Sequence, residues 1–204
     1  MLARVLAEAG VELILAYVRH TTEDERDRER LEEHEAGALL DRGAAALAEF
    51  EVERRVVFSG PTAEGLSWLA EQEDAAIIVF GSDYRTAAGH VSPQKSAHVL
   101  LEGGPAAIAL APANYRSDRA TTFGRIGLLA SPADDAARQT ARDLAARLRL
   151  RVASDEPHVD LLVVGSRPEA PEGRVLISAY AQNAIENAAS PVLVVPRGTG
   201  IRFR

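Results

Sequence analysis

The sequence contains no cysteine, which excludes disulfides, thiolate metal sites and a cysteine nucleophile together. Histidine is sparse. His20, His34, His90, His98 and His158 never fall at the H-x-x-x-H spacing of a helical metal site, so no metal motif is present. A basic excess is also missing: 23 Lys and Arg stand against 30 Asp and Glu, a formal net charge of −7. That balance opposes the phosphate-neutralising contacts on which nucleic-acid affinity rests, and argues against DNA or RNA as a partner. No apolar run approaches the roughly 20 residues of a membrane-spanning helix. Residues 1–10 carry Arg4 and Glu8 within an apolar stripe and read as an amphipathic helix rather than a signal peptide.

What is present is ordinary for a globular chain: 47% apolar and 26% charged residues over 204 positions, enough for one large domain or two small ones. Short apolar runs alternate with helical stretches, the pattern of βαβ units and a parallel sheet. Strands are predicted over Val11 to Val18, Val52 to Ser59, Ala75 to Phe80, Ala106 to Pro112, Arg125 to Ala130, Leu148 to Ala153, Val159 to Val164 and Pro191 to Pro196. Thr22-x-x-Glu25 reads as a capping box opening a charged, solvated helix that runs to about Phe50. Pro61 marks the start of another helix, in which Trp68 is expected to pack into the core and Gly65 to allow a close approach. Further helices are expected from about Ser92 to Glu102, Pro132 to Arg147 and Val175 to Ala189. The polar stretch 113–122 lacks apolar periodicity and reads as a boundary between units 1–115 and 122–198. The tail RGTGIRFR reads as a frayed terminus or a strand extension.

Self-similarity is the most informative feature. Residues 81–112 align without a gap to 165–196, offset by 84 positions. Gly81/Gly165, Ser82/Ser166, Gly89/Gly173, Val91/Val175, Ala97/Ala181, Glu102/Glu186 and Pro112/Pro196 are identical. Both segments read strand, Gly-Ser loop, helix, strand, Pro.

LLVVGS, a loop, a helix and SPVLVVPRG resemble the C-terminal half of a universal stress protein domain. PTAEGLSWLAEQEDAAIIVFGS resembles the helix and strand that precede it. GRIGLLASPADDAARQTARDLAARLRLRV is similar to that family's opening strand, first helix and second strand. The resemblance implies an α/β fold: two tandem Rossmann-like units of the adenine nucleotide α-hydrolase type, with mainly parallel sheets flanked by helices. The family's sheet is ordered 3-2-1-4-5. Against that order, the second copy runs from its second strand almost directly into its fourth, lacking the second helix, third strand and third helix. The first copy starts within the first helix and lacks the central first strand. Three outcomes are open for that gap: its flanking strands close up, another chain fills it, or the chain is an N-terminally shortened form.

ATP-binding members of the family carry Gly, two residues, Gly, nine residues, Gly and Ser or Thr after the fourth strand, with an aspartate ending the first. Glycines there admit positive φ, and the following helix offers free amides to phosphate. In the first copy Gly81 matches, Tyr84 stands at the second glycine, and Gln94-Lys95 replace the last pair. In the second copy Gly165 matches, followed by Ser166, while Pro168 and Ser178-Ala179 replace the rest, and Ser131 stands where the aspartate is expected. ATP binding is therefore expected to be lost or altered. An alternative is an anion cradle for ATP, AMP or another phosphate ligand, made by Gly81, Ser82, Arg85, Gly89, His90, Lys95 and Ser96. In the second copy the corresponding candidates are Gly165, Ser166 and Ser178, with Glu169 and Glu172 opposing phosphate.

The resemblance implies a cytoplasmic stress-response or regulatory protein. It also implies a homodimer, or an intramolecular pseudo-dimer, through the terminal strands ALAP and VLVVP. No G-x-S-x-G elbow and no G-x-x-x-x-G-K-[ST] loop occurs, so no catalytic role is expected.

Overall fold

The computed structural model describes residues 2–20, 29–83, 85–115, 124–153 and 159–203. The proposed capping box at Thr22, the loop residue Tyr84, His158 and most of the 113–122 boundary lie outside them. The elements are α1 (Leu2–Glu8), β1 (Leu13–Arg19), α2 (Glu29–Ala45), β2 (Val52–Phe58), α3 (Thr62–Gln72), β3 (Ile77–Gly81), α4 (Lys95–Leu101) and β4 (Ala107–Ala111). They continue as β5 (Arg125–Leu129), α5 (Asp135–Leu148), β6 (Arg151–Ala153), β7 (Leu161–Gly165), α6 (Ala179–Glu186) and β8 (Val192–Val195). The fold is α/β, with mostly parallel strands flanked by helices.

Three helices start later than their patterns predict; α5 waits for its cap at Asp134 and begins at Asp135 rather than Pro132. Gln94 is still extended, with φ −68° and ψ 161°, so α4 begins at Lys95 rather than Ser92. Residues 175–177 are tied outward instead of coiling: the Val175 and Ile177 amides donate to the carbonyls of Gly104 and Leu101. Those bonds fix an extended backbone, and α6 waits for its cap at Ser178.

Six strands form one sheet in the order β3-β4-β8-β7-β5-β6, parallel except where β4 meets β8. That antiparallel pair joins Ile108 to Val194, Ala109 to Leu193 and Leu110 to Val192. Ala109 faces its own repeat counterpart, Leu193, and the flanking pairs exchange counterparts, so a local two-fold axis passes between them. Loop bonds obey the same axis: Val91 N donates to Ala188 O at 3.2 Å, and Val175 N donates to Gly104 O at 3.0 Å. Each is the other's image under the 84-residue offset.

The junction strands are apolar on both faces, as a sheet covered on both sides requires. Ile108, Leu110, Val192 and Val194 face α3, α4 and α6 in one core layer. Ala107, Ala109, Leu193 and Val195 face α1 and α5 in the other. Small alanines there let α1 lie close, with Leu2, Val5 and Leu6 buried.

β1 and β2 form a separate parallel pair. β1 and β3 are not paired with each other, so these flanking strands have not closed up. Helix α3 contacts β1, β2 and β3, and so bridges the two sheets. Two expectations need correction. Trp68 is 55% exposed rather than in the core. The stripe that packs is Ala63, Leu66, Leu69 and Ala70, and five residues on from Ala63 the helix has turned Trp68 well off that arc. The tail is not frayed: Ile201 is buried and its amide donates to the Thr140 hydroxyl at 2.9 Å.

Gly65 behaves as its position suggested. A Cβ there would lie 2.9 Å from Ser59 Cβ and 3.0 Å from Val18 Cγ1. Gly65→Val should force α3 off the β1–β2 pair and cost about 1–3 kcal/mol, measured by urea unfolding. An unchanged midpoint would mean that α3 does not pack at this spacing.

Candidate functional site

The two Gly-Ser loops are built alike. Ser82 Oγ donates to Ala111 O at 2.7 Å and accepts from Ser92 N at 3.0 Å. Ser166 Oγ donates to Val195 O at 2.8 Å and accepts from Leu176 N at 3.2 Å. Each hydroxyl thus staples the start of its loop to the end of the neighbouring strand and to the approach of the next helix. Gly89 and Gly173 take positive φ of 80° and 73°, the region glycine enters without Cβ cost. Their amides donate to Ala113 O and Arg197 O, 2.9 and 2.8 Å away. Gly89 and Gly173 are therefore conformational residues, and Ser82 and Ser166 are structural fasteners.

The remaining candidates separate. Gly81 is open: a Cβ there meets nothing within 4 Å. Gln94 Nε2 donates to its carbonyl at 3.2 Å. Arg85 is exposed, with its amide bonded to Asp83 Oδ1 at 2.9 Å. His90 is exposed on the loop, Lys95 is the exposed first residue of α4, and Ser96 follows it half-buried. Gln94 makes no side-chain cap on α4. Its counterpart Ser178 does cap α6, accepting from Ala181 N at 3.1 Å, so that hydroxyl is engaged in helix initiation.

Gly165 is crowded by a residue the sequence reading passed over. A Cβ there would collide with Asp134 Oδ2 and lie 3.0 Å from Ala130 Cβ. Asp134 caps α5, its Oδ1 accepting from Ala137 N at 3.1 Å, while Oδ2 is buried over the loop glycine without a hydrogen-bond partner among the described residues. Ser131, at the position of the family's aspartate, accepts from Ala133 N instead, at 3.3 Å. The signal was available: Ser131-Pro-Ala-Asp134 before an alanine-rich run is a helix-start pattern, which makes Asp134 a cap candidate.

A cleft of about 350 Å³ opens at the carboxyl ends of β3 and β4, walled by Leu2, Ala3, Val79 to Ser82 and the chain from Ala111 to Tyr115. Ligands of open α/β sheets bind at this end of the strands. No group of three or more metal-ligating side chains occurs among the described residues. None of their helices is long and apolar enough to cross a membrane. Burial, aided by the negative charge of Asp160, pushes the Tyr115 phenol up to about 12. Between the ordinary phenol value of about 10 and that value the unfolded chain holds fewer protons, so stability should fall as pH rises through this window. Absorbance titration of wild type against Tyr115→Phe measures this; a Tyr115 step near pH 10 would contradict the burial.

The universal stress protein family model matches residues 1–107. No curated protein matches the chain. Among solved structures, the fold is similar to a universal stress protein from Archaeoglobus fulgidus DSM 4304. The TM-score is 0.68 at 15% identity, covering 97% of this chain and 93% of that one. It is also similar to a functionally unknown protein from Pseudomonas aeruginosa PAO1, with TM-score 0.56 at 13% identity and 94% of each chain covered. At these identities the structures speak for the fold alone, while the family model spans over half of the 204 residues: the chain belongs to the universal stress protein family.

Proposed function

We propose that this chain is a non-catalytic regulatory protein of the stress-response type, in which ATP binding has been lost from the second copy and altered in the first. The observation that carries this reading is the Asp134 carboxylate lying over Gly165. A phosphate approaching that glycine would meet a buried negative charge, and Glu169 and Glu172 add like charge in the same loop. A bare anion pair in a poorly solvated site is unfavourable. Ser166 and Ser178, the loop hydroxyls that could otherwise contact a phosphate, are engaged with Val195 and Ala181. No nucleophile–base–orienter motif is legible in the sequence.

One feature favours the alternative, a phosphate-ligand sensor in the first copy. Lys95 opens the first turn of α4, next in sequence to Gln94, whose side chain donates to the carbonyl of the open Gly81. A cation there is disfavoured by the helix dipole by a few tenths of a kcal/mol, roughly 0.3 or more, unless an anion sits between them.

Isothermal titration with ATP, AMP and cyclic AMP, with and without magnesium, separates the two. The proposed reading expects no saturable heat at millimolar nucleotide. Saturable binding near one site per chain that Lys95→Ala removes would overturn it in favour of the sensor. Binding that survives Lys95→Ala but disappears in Gly165→Ala would place the nucleotide in the second copy and contradict the role given to Asp134.

A further inference from the structure

Two short helices run between the two Gly-Ser loops. Helix α4 follows the first loop and begins at Lys95, and α6 follows the second and begins at Ala179. Each helix then ends against the loop of the other copy. At the end of α4, Leu101 O accepts from Ile177 N at 3.3 Å, and just beyond it Gly104 O accepts from Val175 N at 3.0 Å. Just beyond α6, Ala188 O accepts from Val91 N at 3.2 Å. The bonds close a ring: first loop, α4, second loop, α6 and back to the first loop.

No part of this ring is long. Helices of seven and eight residues rise only about 10–12 Å and are held by packing rather than by their own stability. Val91, Ala97, Leu100 and Leu101 share one core layer with Val175, Ala181 and Ile185, and none of the seven is more than 4% exposed. A loop that lifts withdraws its valine from that shared layer. A close-packed interior has no slack to absorb such a loss.

The ties on the two loops are unequal. The second loop has both backbone bonds and an ion pair from Arg174 to Glu71 of α3 at 3.2 Å. The pair is half exposed, so it adds little. The first loop has the single bond of Val91, because Pro93 stands at the position of Ile177 and has no amide to donate. Gly104 also sets the ring's geometry: a Cβ there would lie 2.6 Å from Leu100 O, so the turn that aims its carbonyl at Val175 leaves no room for a side chain. Loops opening one at a time would therefore release Val91 more readily than Val175 or Ile177.

We infer that the two loops instead form one cooperative unit, opening together through α4 and α6. A ligand or partner that holds one loop shut then holds the other shut as well, and by the same factor in either direction. This coupling is independent of whether either loop takes a nucleotide, because it rests on bonds within the chain.

The test uses the full chain, with hydrogen exchange read by NMR at the amides of Val91, Val175 and Ile177. In the wild type these three are expected to share one opening equilibrium, agreeing within about twofold. A matched pair of substitutions then strains one loop at a time. Gly89 and Gly173 have positive φ; a Cβ at Gly89 meets nothing within 4 Å, and one at Gly173 meets only Thr199 Oγ1, at 3.9 Å. Alanine at either place is thus disfavoured by backbone conformation without a clash, and opening relieves the strain. Gly89→Ala should speed exchange at Val91 by about fivefold or more, and at Val175 and Ile177 by the same factor. Gly173→Ala should produce the reciprocal result, with residues 126–129 and 161–164 keeping their wild-type rates in both variants. Acceleration confined to the substituted loop overturns the inference, as does a Val91 amide that opens alone in the wild type. Equal acceleration across 126–129 and 161–164 also overturns it, since the loops would then open only with the whole sheet.

Discussion

The antiparallel pairing of β4 with β8 joins the two strand sets into one six-stranded sheet. Each copy's last strand is apolar on both faces and could not stand as a free edge without exposing a row of unpaired amides beside apolar side chains. Placing Ala109 opposite Leu193 pairs the backbone groups of both strands at once. The two strand sets become one six-stranded sheet with continuous core layers above and below. The reciprocal bonds Val91 to Ala188 and Val175 to Gly104 follow from that axis and carry it into the loops.

The loops inherit rigidity from the same source. Ser82 and Ser166 each clasp the terminal strand of their own copy, and those strands are the ones fused at the junction. A phosphate-binding loop needs free amides and room beside its glycines. Here the hydroxyls serve the scaffold, and over Gly165 the α5 cap Asp134 occupies the space. The same architecture that holds the sheet together thus crowds Gly165 in the second loop and leaves Gly81 in the first without a neighbour within 4 Å of a Cβ.

Much of this was legible because it is local. The Gly-Ser pairs, the matching glycines at 89 and 173 and the terminal prolines encode loop geometry residue by residue, and their hydrogen bonds repeat at the 84-residue offset. The alternation of strand and helix was equally plain, since buried parallel strands read as continuous apolar runs. What escaped depends on three-dimensional neighbours. Asp134 looks like any N-cap until β7 brings Gly165 beneath it. Trp68 looks like a core residue until the buried arc of α3 is seen to run through Leu66 and Ala70. The tail looks polar and loose, yet Thr140, one helix away from it in space, holds Ile201. The register of β4 on β8 has no signature in either strand, because both are apolar throughout.

Native-state hydrogen exchange in increasing urea reads whether β4 and β8 fuse the two strand sets into one cooperative sheet. Amides of 107–111, 161–165 and 192–195 are expected to converge on a single opening free energy, with 13–19 and 52–58 opening separately and at lower cost. Separate openings for 107–111 and 192–195, each with its own urea dependence, would show that the junction does not hold the sheet together.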